Sequence, residues 1–165
     1  MNEPPPTCRI GLARFVAIML LIIALDQLSK FWVLETLGML ENPAPRVITS
    51  FFTLVMWWNK GVSFSLLTHD AISPYALVAL SLIISAVLAR LAMKTTLTVE
   101  RIGYAMVIGG AVGNVIDRLR FGAVADFLYF HIGDLGWPAF NVADASICLG
   151  VGLLLIYLLK HPSRS

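Results

Sequence analysis

Of the ten acidic residues in this sequence, Asp126 is the hardest to explain as ordinary surface charge. It sits in Val124-Ala-Asp-Phe127 among apolar neighbours, with no lysine or arginine closer than Arg120. A second acidic residue, Asp144, closes the segment Phe140-Asn-Val-Ala-Asp144. Two such carboxylates brought within a few ångströms cannot both ionise easily, so one pKa rises and the pair shares a proton. The ionised member can then activate water, while the protonated member polarises a carbonyl and later protonates the leaving amine. That is peptide hydrolysis without a metal or a covalent intermediate. Spacing alone does not bring the two together. It also permits a plainer reading of the second segment, with Asn141 as a helix N-cap and Asp144 at N3.

Other polar residues are candidates for the same site. Asp26 and Lys30 lie four apart and share a helix face, either as a structural ion pair or as site members. In Gly109-Gly-Ala-Val-Gly-Asn-Val-Ile-Asp-Arg118, helical spacing puts Gly110, Asn114 and Asp117 on one face. Gly109 and Gly113 form a GxxxG pair of the kind that lets two helices approach closely. Asp117 and Arg118 read as charges that neutralise each other. Asn59-Lys-Gly61 reads as a turn.

Competing chemistries are weaker. Ser29 and Lys30 are adjacent and point apart on a helix; Ser63 or Ser65 with Lys60 or Lys30 stays open as a Ser/Lys dyad. Cys148 lies inside an apolar run, which disfavours a Cys/His pair, and with Cys8 it fits no zinc, redox or disulfide pattern. His69, His131 and His161 are too scattered for a metal site. Asp117, Asp126 and Asp144 around magnesium would call for a denser acidic motif. We therefore expect neither metal nor cofactor.

The elements that must position these residues follow from composition. The chain is 58% hydrophobic and 13% charged, with mean hydropathy +0.82. Soluble domains carry about 25% charged residues, and a chain this apolar would expose sticky patches in water. Lipid is the simpler solvent. The net charge of +2, without a Lys/Arg cluster, argues against nucleic acid as a partner.

Four apolar runs approach the ~20 residues that a membrane helix needs: 12–34, 74–93, 99–119 and 142–160. We read 1–165 as one membrane domain with a polar, Pro-rich, disordered leader over 1–11. The first run is not a cleavable signal peptide, because it continues through Asp26 and Lys30 into Phe31-Trp-Val-Leu34 without a small-residue cleavage site. Pro74 suits a helix N1 position, with Ser73 as its cap. Between the first two runs, 36–72 is rich in β-branched and aromatic residues. It predicts a hairpin that turns at Asn59-Lys-Gly61 and returns through 62–66, as a small sheet at the membrane surface. Seven of the twelve lysines and arginines fall on the side of the two termini, including the short, basic loop between the second and third runs. Both termini are therefore expected in the cytoplasm. Trp32, Trp57, Trp58 and Trp137 then form an aromatic belt at the outer end. The end of helix 1, the end of helix 3, the start of helix 4 and Asn59 gather at that same end.

These blocks resemble those of the bacterial lipoprotein signal peptidases (signal peptidase II). Asp26-Gln-Leu-Ser-Lys30, Asn59-Lys-Gly61, the Gly109–Arg118 block, Val124-Ala-Asp-Phe127 and Phe140-Asn-Val-Ala-Asp144 occur in that family's order and spacing, over about residues 12–160. The resemblance implies a mainly α, integral membrane fold: four transmembrane helices with a small extracytoplasmic β-sheet, or β-cradle, between helices 1 and 2. It implies a monomeric aspartyl endopeptidase of the bacterial inner membrane that cleaves prolipoproteins just before a diacylglyceryl cysteine and is inhibited by globomycin-type peptides. Its catalytic pair would be Asp126 and Asp144. Asn114, Arg118 and Asn141 would support that pair, while Asn59, Gly61, Gly110, Asp26 and Lys30 would line or brace the site. Two other functions remain on the residues alone. A proton-coupled carrier would distribute its charges through the membrane depth, and an assembly subunit packed through GxxxG would leave Asp126 without a role.

Overall fold

The computed structural model describes residues 11–61, 73–133 and 135–161. The leader up to residue 10, with Cys8, lies outside them. So do Ser63, Ser65, His69 and the returning 62–66 arm of the expected hairpin.

Four helices carry the apolar runs. Helix α1 spans Leu12–Phe31 and widens into a π-helical turn at Trp32–Thr36; α2 spans Pro74–Lys94, α3 Thr98–Phe121 and α4 Val142–Lys160. Pro74 opens α2, as its fixed φ favours. Ser73 precedes it but makes no side-chain capping bond. Three helices, Leu12–Thr36, Pro74–Lys94 and Val142–Lys160, are long and apolar enough to cross a membrane. Their large hydrophobic side chains point outward: Leu20, Leu21 and Leu28 on α1, Leu80 and Ile83 on α2, and Leu149, Leu155 and Leu159 on α4 are all exposed. The inside holds charged and polar residues beside its apolar core, with Asp26, Lys30, Asn114, Asp117, Asp126 and Asn141 all buried. This arrangement suits an apolar surrounding.

The expected run at 99–119 is also a helix, α3, but it does not join those three by composition. The reason is its place. It packs against α1, α2 and α4, so it presents glycines and polar groups to protein rather than leucines to lipid. A Cβ on Gly109 would stand 3.0 Å from Ile22 Cβ, and one on Gly113 only 2.6 Å from Asp26 Oδ2. The GxxxG pair therefore faces α1. A second small-residue face meets α4: a Cβ on Gly110 would lie 2.4 Å from the Ala143 carbonyl, and one on Gly150 2.9 Å from the Gly103 carbonyl.

The sheet differs from expectation. Its strands are β1 (Arg46–Thr49), β2 (Phe52–Asn59), β3 (Val124–Ile132) and β4 (Leu135–Gly136), antiparallel in the order β1-β2-β3-β4. A hairpin turn falls at Ser50-Phe51, between β1 and β2; the expected turn at Asn59-Lys-Gly61 leads into 62–66, outside the described residues. The long partner of β2 is β3, from the segment between α3 and α4, so the sheet is not built from the 36–72 segment alone. Helix α3 makes this possible by stopping abruptly. Gly122 adopts φ +73 and its N–H caps the Arg118 carbonyl, the left-handed terminator that Gly favours. The chain enters β3 two residues later. The sheet then packs Leu54, Met56, Ala125 and Phe127 onto Val33 and Leu34 of the π-turn and on Met39.

Close α3–α4 contact has a measurable consequence. Gly110→Ala and Gly150→Ala are each expected to lower stability by about 1–3 kcal/mol through overpacking, while Gly152→Ala, which points into open space, leaves it unchanged. Thermal unfolding in detergent checks all three.

Candidate active site

The start of α4 is held by two reciprocal bonds. Asn141 Oδ1 accepts from the Asp144 backbone N–H at 2.9 Å, and Asp144 Oδ2 accepts from the Asn141 N–H at 3.3 Å. The capping reading is therefore correct, and it does not compete with a site. Capping consumes only the oxygen of the Asn141 amide. Its Nδ2 donates to Asp126 Oδ1 at 2.7 Å, so one fully buried residue bonds both carboxylates, Asp126 through its side chain and Asp144 through its backbone N–H.

Asp126 projects from β3. A one-residue bulge in β2, between Leu54 and Trp57, shifts the pairing so that Trp57 stands opposite Asp126 and Asn59 opposite Val124. A slip of one residue moves a strand's side chains to the other face, and bulges often re-aim residues in this way. The bulge puts Asn59 on the Asp126 face, where its Nδ2 donates to Asp126 Oδ2 at 3.1 Å. Gly61 fixes the direction of that amide: its N–H binds Asn59 Oδ1 at 2.8 Å, in a backbone conformation of φ +93 that suits glycine. Asp126 thus accepts an amide donor on each oxygen and is 4% exposed. Burial, reinforced by the charge of Asp144, pushes its carboxyl up to about 7, against the opposing pull of Asn59 and Asn141.

Asp144 is tied to α3. Asn114 Nδ2 donates to Asp144 Oδ1 at 2.8 Å. Asn114 Oδ1 in turn receives Lys30 Nζ and Asn141 Nδ2, each at 3.4 Å. Arg118 lies within electrostatic reach of Asp144, Asp117 and Asp126, and its Nε is buried without a hydrogen-bond partner among the described residues.

Behind this pair lies a buried ionic group. Lys30 Nζ sits 2.8 Å from Asp26 Oδ2 and 2.7 Å from Asp117 Oδ2. Asp117 was expected to neutralise Arg118. It pairs with Lys30 instead, because neighbours on a helix diverge while Asp117 faces α1. Asp26 Oδ1 accepts the Ala143 N–H at 2.9 Å and Asp117 Oδ2 the Ala125 N–H at 3.2 Å. Gln27 Nε2 bridges both carboxylates, at 3.1 Å each.

Nearly every residue singled out from sequence converges here: Asp126, Asp144, Asn59, Asn114, Asn141, Asp26 and Lys30 directly, with Arg118 alongside. Gly61 acts through Asn59. Gly110 acts by letting Ala143, and with it the start of α4, approach α3. Asp117 was given the wrong partner and Gln27 no role. A usable signal existed, since Gln27 lies beside Asp26 and Asp117 one turn beyond Asn114. A cavity of about 370 Å³ opens beside Asp126, between Trp57, Trp58 and Asn59 on one side and Pro138 and Ala139 on the other, with Lys60 at its edge. Trp58 is braced by Phe121 at 5.2 Å between ring centres. Trp57 and Trp58 were read from the sequence as part of the aromatic belt; the Pro–Ala wall carries no motif that sequence reading could flag.

Comparison with known proteins agrees. A family model described as signal peptidase (SPase) II matches residues 18–160. A lipoprotein signal peptidase of Azoarcus sp. (strain BH72) is 45% identical over 138 residues, covering 81% of this chain and 76% of its own. One of Oleidesulfovibrio alaskensis is 41% identical over 144 residues, covering 86% and 91%. An experimental structure described as a bacterial membrane enzyme superposes with a TM-score of 0.80 at 26% identity, covering 95% of this chain and 94% of that one. With three apolar helices, this makes the chain a multi-pass membrane protein.

The double duty of Asn141 is testable. Asn141→Ala should cost about 1 kcal/mol from the lost cap, with a further ~1–3 kcal/mol from the unfilled acceptor on buried Asp126. Asn141→Ser, which can cap but is too short to reach Asp126, should recover only the first part in thermal unfolding.

Proposed function

This chain belongs to the signal peptidase II family, and from that membership we propose that Asp126 and Asp144 are its catalytic pair. It is a protease that removes signal peptides from prolipoproteins. The observation that carries the assignment is the Asn141 side chain, bonded to Asp126 at 2.7 Å while capping the helix that bears Asp144.

The two carboxylates divide the work by environment. Asp126, pushed up to about 7, keeps its proton near neutrality, donates to the scissile carbonyl and then protonates the departing amine. Asp144 is the ionised partner that draws a proton from the attacking water. Asn59 and Asn114 hold each carboxylate from outside the pair. The cleft between the β2 tryptophans and Pro138-Ala139 receives the peptide beside Asp126. Arg118, within electrostatic reach of both carboxylates, is assigned to support the pair and the substrate.

The substrate is a prolipoprotein whose cysteine carries diacylglycerol, cleaved just before that residue. An acylated substrate is held in lipid, so its cleavage point lies at the lipid–water boundary, the depth that suits a polar pair at one end of an apolar bundle. We read α3 as the fourth span, surrounded by its neighbours, and the sheet as a cradle on the outer face. The site is then at that face of the bacterial inner membrane, with both termini in the cytoplasm. The enzyme acts as a monomer and is open to globomycin-type inhibitors.

Asp126→Asn and Asp144→Asn are each expected to reduce cleavage of a diacylated prolipoprotein peptide by about 10²–10⁴-fold while the protein still inserts and folds, and the unmodified peptide should be the poorer substrate for the parent enzyme. Wild-type turnover by either variant would remove the pair from the mechanism. The pH dependence follows from the protonated role of Asp126. Below about 7 it holds its proton and acts as the acid; above that value the proton is lost. The kcat/KM profile should therefore fall on its alkaline side, about tenfold per pH unit, once pH passes the Asp126 value.

A further inference from the structure

The buried triad Asp26–Lys30–Asp117 touches the catalytic pair in a specific way. Asp26 holds the backbone N–H of Ala143, the residue before Asp144, at 2.9 Å, and Asp117 holds the N–H of Ala125, the residue before Asp126, at 3.2 Å. Lys30 joins the two carboxylates at 2.8 and 2.7 Å. We propose that this triad is a positioning clamp, with one arm per catalytic aspartate, that sets the separation of Asp126 and Asp144 from behind. The proposal rests on the assignment of that pair.

Three observations carry it. First, the triad is nearly sealed, with Asp26, Lys30 and Asp117 at 0%, 3% and 1% exposure. Buried ion pairs contribute little net stability, and apolar replacements are often as stable or more so. Stability alone does not account for three buried charges. Second, each carboxylate spends lone pairs on a backbone amide of a segment that must be placed. Ala125 is the second residue of β3 and Ala143 lies in the first turn of α4, two segments that reach the site from opposite ends of the 133–141 connection. Third, Lys30 sets a side-chain direction as well. An ammonium only donates, so the Asn114 atom facing it at 3.4 Å is the oxygen, which leaves Nδ2 for Asp144. Gln27 braces both arms at once. The charged and polar groups facing the pair from other elements are Arg118 on α3, Asn59 on β2 and Asn141 at the head of α4.

The two arms can be loosened separately. Asp26→Ala removes the acceptor behind Asp144 and leaves Lys30 paired with Asp117. Asp117→Ala removes the acceptor behind Asp126 and leaves Lys30 paired with Asp26. Each variant retains a neutral buried pair and so should fold. A misplacement of about 1 Å can cost on the order of 10²-fold in rate, so each variant should lose at least about tenfold in kcat on the diacylated peptide with KM within about threefold. The pH profile separates the arms: Asp117→Ala should move the alkaline limb, set by Asp126, and Asp26→Ala should lower kcat and leave that limb where it is. A merely structural triad would lower the unfolding temperature in detergent and leave kcat and the alkaline limb of the folded enzyme in place, and that result overturns the clamp. Equal movement of the alkaline limb in both variants overturns the arm-by-arm assignment. Where an alanine variant does not fold, the Asn variant at the same position is judged by the same kcat and limb criteria. Asp126→Asn and Asp144→Asn run in the same assay; if they stay active, the failure lies with the catalytic pair and not with the clamp.

Discussion

The ammonium of Lys30, buried between the carboxylates of Asp26 and Asp117, is the constraint on which the rest of the fold turns. Removing an ion from water costs several kcal/mol even after relaxation, and a bundle clothed in apolar side chains offers no water in compensation. The group persists because its polar atoms are taken up. The two carboxylates accept from Lys30, from Gln27 and from two backbone amides, and Lys30 reaches a third acceptor on Asn114. This satisfaction requires α1 and α3 to lie very close. At Gly113 even a methyl group would collide with Asp26. The glycine face of α3 and the ionic group are thus one design. Small residues permit the approach, and the approach gives the charges their short contacts.

The same economy governs α4. A helix start leaves backbone N–H groups without partners, and Asn141 with Asp144 answers that need by a capping box. A capping pair made only for stability would leave the amide nitrogen of Asn141 facing solvent. Here it is aimed at Asp126 across from β3. Helix α4 therefore cannot be seated without also orienting the second carboxylate, and folding and site assembly become a single step at this point.

Much of this was legible in the sequence. Long apolar runs fix where helices lie, and the four expected runs became α1 to α4 within a few residues. Asp126 stood out because its neighbours could not explain it. Other features were hidden, and for physical reasons. Pairing of β2 with β3 joins segments more than sixty residues apart, and no local pattern announces a partner that distant. The bulge that directs Asn59 toward Asp126 is visible only once both strands are aligned. The adjacency of Asp117 and Arg118 suggested mutual neutralisation, but side-chain direction on a helix favours partners on a facing helix over the next residue in the chain. Gly61 read only as a turn residue; its bearing on the site runs through a single N–H to Asn59.

The two carboxylates of the proposed pair differ in one further respect, which lies in the backbone itself. Asp144 stands in the first turn of α4, where the helix dipole and free N–H groups favour negative charge. Asp126 stands on a strand, and sheets have little net dipole. A pair of chemically identical side chains is thereby made unequal before any substrate enters. In the proposed mechanism the shared proton is held by the residue on the strand. Burial and the charge of Asp144 push Asp126 up to about 7, in the same sense as the backbone asymmetry. Under that assignment a fold that delivers one carboxylate on a helix start and the other on a strand divides acid from base through its secondary structure, with the amides of Asn59, Asn114 and Asn141 around it.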